Sequence, residues 1–224
     1  MNNFQELVGK NIEIEISGGH ILKGILIDFG LDIIVIYVGR NQSFLYIPVV
    51  HIQRWKQTMI VEDEVYTLPS EKPIKAESPT ISFRKILTNA KGRFVEVYVS
   101  GNISIHGYVT SIMNDYLVFN SPVYKSMFIS MNHVKWLIPY PEKATPYLQN
   151  NQSLLVNSTS VSLARSFVEQ CKKIMNQFVI IDGGGNEEKI GFLQEVHNNQ
   201  LTLMTAKGDN VYHNLEHVKT LHLP

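Results

Sequence analysis

Three histidines stand at near-equal intervals in this chain: His51 in "YIPVVHIQRW", His133 in "FISMNHVKWL" and His217 in "YHNLEHVKTL". Three equivalent imidazoles gathered about a pseudo-threefold axis would make a ligand set for zinc or another transition metal. Against that chemistry, each histidine precedes an apolar residue at a tight connection, where a ring nitrogen satisfies a backbone group while the ring packs. The spacings that mark zinc sites, HExxH or paired CxxC, are absent. The histidines are therefore read as structural, and no metal or other cofactor is expected.

Carboxylates make no better case for catalysis. Glu13 and Glu15 fall on the polar side of an alternating stretch, and the run "EDE" at 62–64 lies in a connecting segment, so both read as solvated faces. "DGGGNEEKIG" is rich in glycine, yet it joins two strands and lacks the following helix and the GK[ST] ending that phosphate binding needs. No GxSxG elbow, Walker A loop or dinucleotide fingerprint occurs. No catalytic, cofactor-binding or metal-binding residue is assigned, and the chain is expected not to be an enzyme.

The histidines belong to a longer repeat. Gly24, Gly107 and Gly191 each follow a turn, separated by 83 and 84 residues, while His51, His133 and His217 are separated by 82 and 84. The interval from glycine to histidine is 27, 26 and 26. Two independent anchors with one period imply three copies of one module. These six residues are its signature, structural in role.

Within a copy the order of elements follows from periodicity. A helical stretch opens it ("NNFQELVG", "SFRKILTNAKG", "SFVEQCKKIMNQF"), with Ser as N-cap in the last two. An alternating strand follows, such as Ile12, Ile14 and Ile16 against Glu13 and Glu15, which is the pattern of a half-buried strand. Gly-rich turns ("SGGH", "SGN", "DGGGN") supply residues that tolerate positive φ. A second strand then runs through the anchor glycine, whose presence inside a strand marks a bulge or sharp bend. Three further strands complete the copy, the histidine sitting in the one-turn connection before the last.

The expected fold is mainly β: three tandem, small, five-stranded barrels of the SH3-like or Sm-like type, each preceded by a short helix. The copies occupy residues 1–57, 81–138 and 163–224, with linkers at 58–80 and 139–162 that are rich in Pro, Asn and Ser. Apolar patches at Met59 to Val61 and Leu154 to Val156 could add an edge strand. Asn157 opens an Asn-Ser-Thr sequon, which matters only in a secreted protein.

Composition bounds the partners. Twenty Lys plus Arg balance twenty Asp plus Glu, with a pI near 7.1, so no polyanion-binding surface is advertised. Aromatic residues at Phe29, Trp55, Tyr116 and Trp136 would suit base stacking in an Sm-like RNA-binding protein, the rival reading. No basic cluster accompanies them in every copy, which argues against nucleic acid. "MNNFQELVGK" has no basic start and apolar core, so no signal peptide is expected. No run approaches the ~18–20 apolar residues of a membrane span, so no membrane is expected. The single cysteine, Cys171, has no intrachain partner and reads as a small buried residue.

The three-copy pattern resembles the N-terminal region of the spore coat protein B family of Bacillus-type endospore formers. The residues that carry it are Gly18, Gly19 and Gly24 with His51-Ile52, then Gly101 and Gly107 with His133-Val134-Lys135, then Gly183, Gly184 and Gly191 with Leu215 to Lys219. The similarity spans nearly the whole chain. Members of that family have a "GGPE" turn, which stands here as "SGGH", "SGNI" and "GGGN", and a long Ser- and Lys-rich tail that is phosphorylated. The present sequence stops at "LHLP", so that modification is not carried over. The resemblance implies a structural component of the spore coat, made in the mother-cell cytoplasm, with other coat proteins as partners and no cofactor. Exposed strand edges in triplicate also suit a homo-oligomer.

Overall fold

The computed structural model describes residues 4–59, 71–74, 80–99, 103–141, 147 and 162–224. The patch at Leu154 to Val156, the sequon at Asn157, the "EDE" run and Gly101 lie outside the described residues. The fold is mainly β and antiparallel, with two α-helices among the described residues. The first copy contributes β1 (Asn11–Ile16), β2 (His20–Phe29), β3 (Ile33–Val38), β4 (Ser43–Pro48) and β5 (Ile52–Gln57). The second contributes α1 (Phe83–Asn89), β6 (Phe94–Val99), β7 (Ile103–Ile112), β8 (Tyr116–Ser121), β9 (Lys125–Ser130) and β10 (Val134–Pro139). The third contributes α2 (Phe167–Lys173), β11 (Phe178–Ile181), β12 (Ile190–His197), β13 (Gln200–Met204), β14 (Asn210–Asn214) and β15 (Thr220–His222).

Two of the three opening stretches form α-helices, and for the reason their sequence gives. The Ser82 hydroxyl accepts from the Lys85 amide and the Ser166 hydroxyl from the Glu169 amide, both at 3.4 Å. Phe83, Ile86 and Leu87 in α1 and Phe167, Gln170 and Cys171 in α2 are buried at i, i+3, i+4. The first copy differs from expectation: "NNFQELVG" holds only a three-residue 3-10 turn, Gln5–Leu7. Gly9, at φ +80°, turns the chain out of the helix before nucleation is repaid by propagation.

The chain divides into two compact units. One comprises residues 1–105 and 134–144, the other 106–133 and 145–224, so the second copy is shared out between them. In the first unit the strand order is β6-β10-β4-β3-β2-β1-β5. Its core gathers Ile12, Ile14, Ile16, Leu26, Ile34, Ile36, Leu45 and Ile47, with Trp136 and Ile138 packed against them. In the second unit the order is β14-β13-β12-β11-β15-β9-β8-β7. Its core joins Tyr116, Val118 and Phe128 to Phe167, Cys171, Ile174, Leu193, Leu203 and Leu221.

The first and third copies thus each run fourth, third, second, first, fifth strand, and the sheet is not closed into a barrel. The expectation of three closed barrels is corrected by where the edges go. The fourth strand of a copy takes as its partner the fifth strand of the next copy, β4 with β10 and β9 with β15. A strand has two edges, and these are both occupied before closure on its own copy is possible.

Bending within each copy has a common cause. A Cβ on Gly24, Gly107 or Gly191 would lie 2.5, 2.2 or 2.4 Å from the carbonyl oxygen of Tyr37, Asn120 or Met204 on the neighbouring third strand. Only glycine allows that approach. Three residues later the register of each second strand shifts, between Leu26 and Asp28, Val109 and Ser111, and Leu193 and Glu195. The three anchor glycines therefore share one environment. Gly107→Ala is expected to destabilise the fold by about 1–3 kcal/mol through forced backbone displacement. Urea unfolding measures this, and a loss within the ~0.5 kcal/mol of an ordinary surface change would contradict the close approach.

Candidate assembly edges and their polar residues

The signature histidines occupy equivalent places. Each ends a three-residue 3-10 turn between fourth and fifth strands: Val49–His51, Met131–His133 and Leu215–His217. They differ in surroundings. His51 is buried, and its Nδ1 lies 3.4 Å from the Ser17 hydroxyl and 3.1 Å from the Lys135 ammonium. His133 is half-buried, with Nε2 2.7 Å from the carbonyl oxygen of Glu216. His217 is exposed. Among the described residues no group of three His, Cys, Asp or Glu could hold a metal ion.

Both junctions between copies use the residues around these turns. At the first, Leu137 in β10 faces Tyr46 in β4. Lys135, two residues past His133, is buried and donates to the Ser17 hydroxyl. Burial pushes its ammonium pKa down. Beside it Trp136 stacks on Tyr98 with centroids 3.8 Å apart, and His20 meets both rings edge-on. At the second junction Thr220, Leu221 and His222 face Ile129, Phe128 and Met127, and the Ser130 amide donates to the Lys219 carbonyl at 2.9 Å.

Asp182 anchors this second junction from the turn after β11. Its Oδ1 accepts from the amides of Lys219 and Thr220 at 2.9 and 3.1 Å, and its Oδ2 from the ammonium groups of Lys189 and Lys219 at 3.1 and 3.2 Å. Burial alone would raise its pKa. The Thr220 and Lys219 amides and the two ammonium groups outweigh that and hold the carboxyl below the usual range.

A second set of contacts ties each helix to the copy before it. The Phe83 amide at the start of α1 donates to Oδ1 of Asp32 at 2.7 Å, and the Phe167 amide of α2 to Oδ1 of Asp115 at 2.8 Å. The Leu31 and Asn114 amides donate in turn to the carbonyls of Ile81 and Arg165. Sequence reasoning missed this pair, although Asp32 and Asp115 stand 19 and 18 residues before the signature histidines. It named Lys135 and Lys219, each two residues after a histidine, only as part of the repeat pattern, with no role at the junctions.

The residues weighed for other chemistry are engaged elsewhere. Glu13 pairs with Lys23 and Lys56 at 3.4 and 3.1 Å, and Glu15 with Arg54, all across neighbouring strands. The Lys56 contact holds the Glu13 carboxyl below its ordinary pKa. Tyr116 is fully buried, its hydroxyl donating to the Ala164 carbonyl at 2.8 Å and lying 2.9 Å from Oε1 of Gln170. Burial pushes its pKa up to about 12. Cys171 is buried, which pushes its thiol up as well. Of the aromatics considered for base stacking, Tyr116 and Trp136 are therefore committed to packing, while Trp55 rests on Phe4 at 4.7 Å and remains partly exposed.

Known proteins place this arrangement in a family. YwrJ of Bacillus subtilis (strain 168) is 44% identical over 227 residues, covering the whole of both chains. The chain belongs to the YwrJ family. The YwrJ third domain matches residues 166–221, from the Ser166 cap of α2 into β15. Spore coat protein B of the same organism is 26% identical over 141 residues, which take in 63% of this chain and 35% of that protein. The resemblance drawn from the repeat pattern is thus real but partial, and the full-length likeness is to YwrJ.

Stability should track the ionisation of Asp182. Because its folded pKa is lowered, its contribution is fully present above the unfolded value of about 3.9 and is lost as pH falls through the folded value. Asp182→Asn is expected to cost stability at neutral pH, with the difference from the parent chain closing below pH ~4. Chemical denaturation at several pH values measures this. A difference that stays constant down to strongly acidic pH would contradict the role given to the charge.

Proposed function

We propose that this chain is a non-enzymatic structural protein of the bacterial spore coat, made in the mother-cell cytoplasm and incorporated through protein-protein contacts of its repeated, bent, Sm/SH3-like units. Other coat proteins are its partners. The observation that carries the reading is the similarity to spore coat protein B across 63% of the chain. Supporting it, the side chains with chemical potential are spent on structure: His51 and His133 at the strand junctions, Asp182 on backbone amides, Cys171 in the core. A sheet built by edge pairing between copies is also suited to adding strands from outside. Among the described residues no helix is long and apolar enough to cross a membrane.

A fluorescent fusion followed through sporulation tests the assignment. Signal is expected to collect around the forespore and to remain on released spores. A diffuse signal in the mother cell, with none on spores, would overturn it. Micromolar binding to single-stranded RNA that weakens steeply with salt would also overturn it, in favour of an Sm-like RNA-binding protein.

A further inference from the structure

The two junctions inside the chain obey one register rule. The residue four after one signature histidine faces the residue five before the preceding signature histidine: Leu137 opposite Tyr46, and Leu221 opposite Phe128. All four side chains are at most 1% exposed. A third pair of the same kind exists, but its members stand on different edges. Trp55 lies four residues after His51 and Tyr212 five before His217, and they are 39% and 66% exposed. Among the described residues β5 pairs only with β1, and β14 only with β13. One is a fifth strand without a fourth, the other a fourth strand without a fifth.

We propose that a second copy of this chain completes both edges, β5 of one copy pairing antiparallel with β14 of the next so that Trp55 packs against Tyr212. The internal junctions set the remaining partners. Thr220 opposite Ile129 and His222 opposite Met127 translate to Arg54 opposite His213 and Lys56 opposite Val211. The bond from the Ser130 amide to the Lys219 carbonyl translates to one from Asn214 to Gln53. The contact of His133 with the Glu216 carbonyl translates to His217 against the Val50 carbonyl. Both residues are exposed, Val50 at 80%. The new pairing therefore covers the one exposed signature histidine.

Each copy offers one edge of each kind, so the contact is heterologous and runs head to tail, ending only where a ring closes. This inference goes beyond the coat assignment and does not depend on it, because it concerns the purified chain alone.

Light scattering and sedimentation of the full chain across a dilution series provide the test. The parent chain is expected to populate masses of twice 25.5 kDa or more as concentration rises. Trp55→Asp and Tyr212→Asp should each remain folded and monomeric, Tyr212→Asp with unchanged thermal unfolding and Trp55→Asp with the modest loss expected from its contact with Phe4. The Trp55→Asp chain keeps an intact β14 and the Tyr212→Asp chain an intact β5, so their mixture should form a 1:1 pair and nothing larger. A parent chain that stays monomeric at the highest concentration, a single variant that associates like the parent, or a mixture that stays monomeric would each overturn the proposal.

Discussion

A strand at the edge of a sheet presents a row of amide and carbonyl groups that must find partners or remain in water. In this chain the fourth and fifth strands of a copy do not resolve that demand by meeting each other. They resolve it with the neighbouring copy, β10 on β4 and β15 on β9. Most of the architecture follows from that choice. The sheet stays open, and the second copy is divided between two compact units because its edges are committed on both sides.

The polar residues of the junctions are best understood as guides to register. Burying Lys135 beside Ser17 and His51 carries a desolvation cost that lowers its pKa, whereas at Asp182 the amides of Thr220 and Lys219 and two ammonium groups outweigh that cost. Apolar burial of Leu137, Tyr46, Leu221 and Phe128 supplies the larger share of attraction at the same strands. A slip of one residue would turn those four side chains to the other face and, at the first junction, carry the Lys135 ammonium away from Ser17 and His51. We interpret the buried charges as fixing which of several strand pairings is adopted.

Much of this was legible in the sequence where the cause is local. Alternation marked Ile12, Ile14 and Ile16 as one buried face, Ser82 and Ser166 stood where helices begin, and the period tied Gly24, Gly107 and Gly191 to one structural place. Barrel closure was misjudged because period-2 patterning says which face of a strand is buried and nothing about which edge it pairs with. The first helix was overestimated because apolar spacing alone does not register the break at Gly9. The carboxylate anchors Asp32, Asp115 and Asp182 were missed since their partners are backbone amides, which carry no signature in the sequence.

Residue-resolved hydrogen exchange on the monomeric chain is the most direct measure of whether edge pairing between copies organises the fold. Amides donated across β4·β10 and β9·β15, with that of Ser130 to the Lys219 carbonyl as reference, should be protected nearly as well as those of the interior strands β3 and β8, while β5 and β14 exchange far faster. Exchange of the Ser130 amide at the rate seen in β14 would contradict the account, since it would leave the fourth strands as free edges.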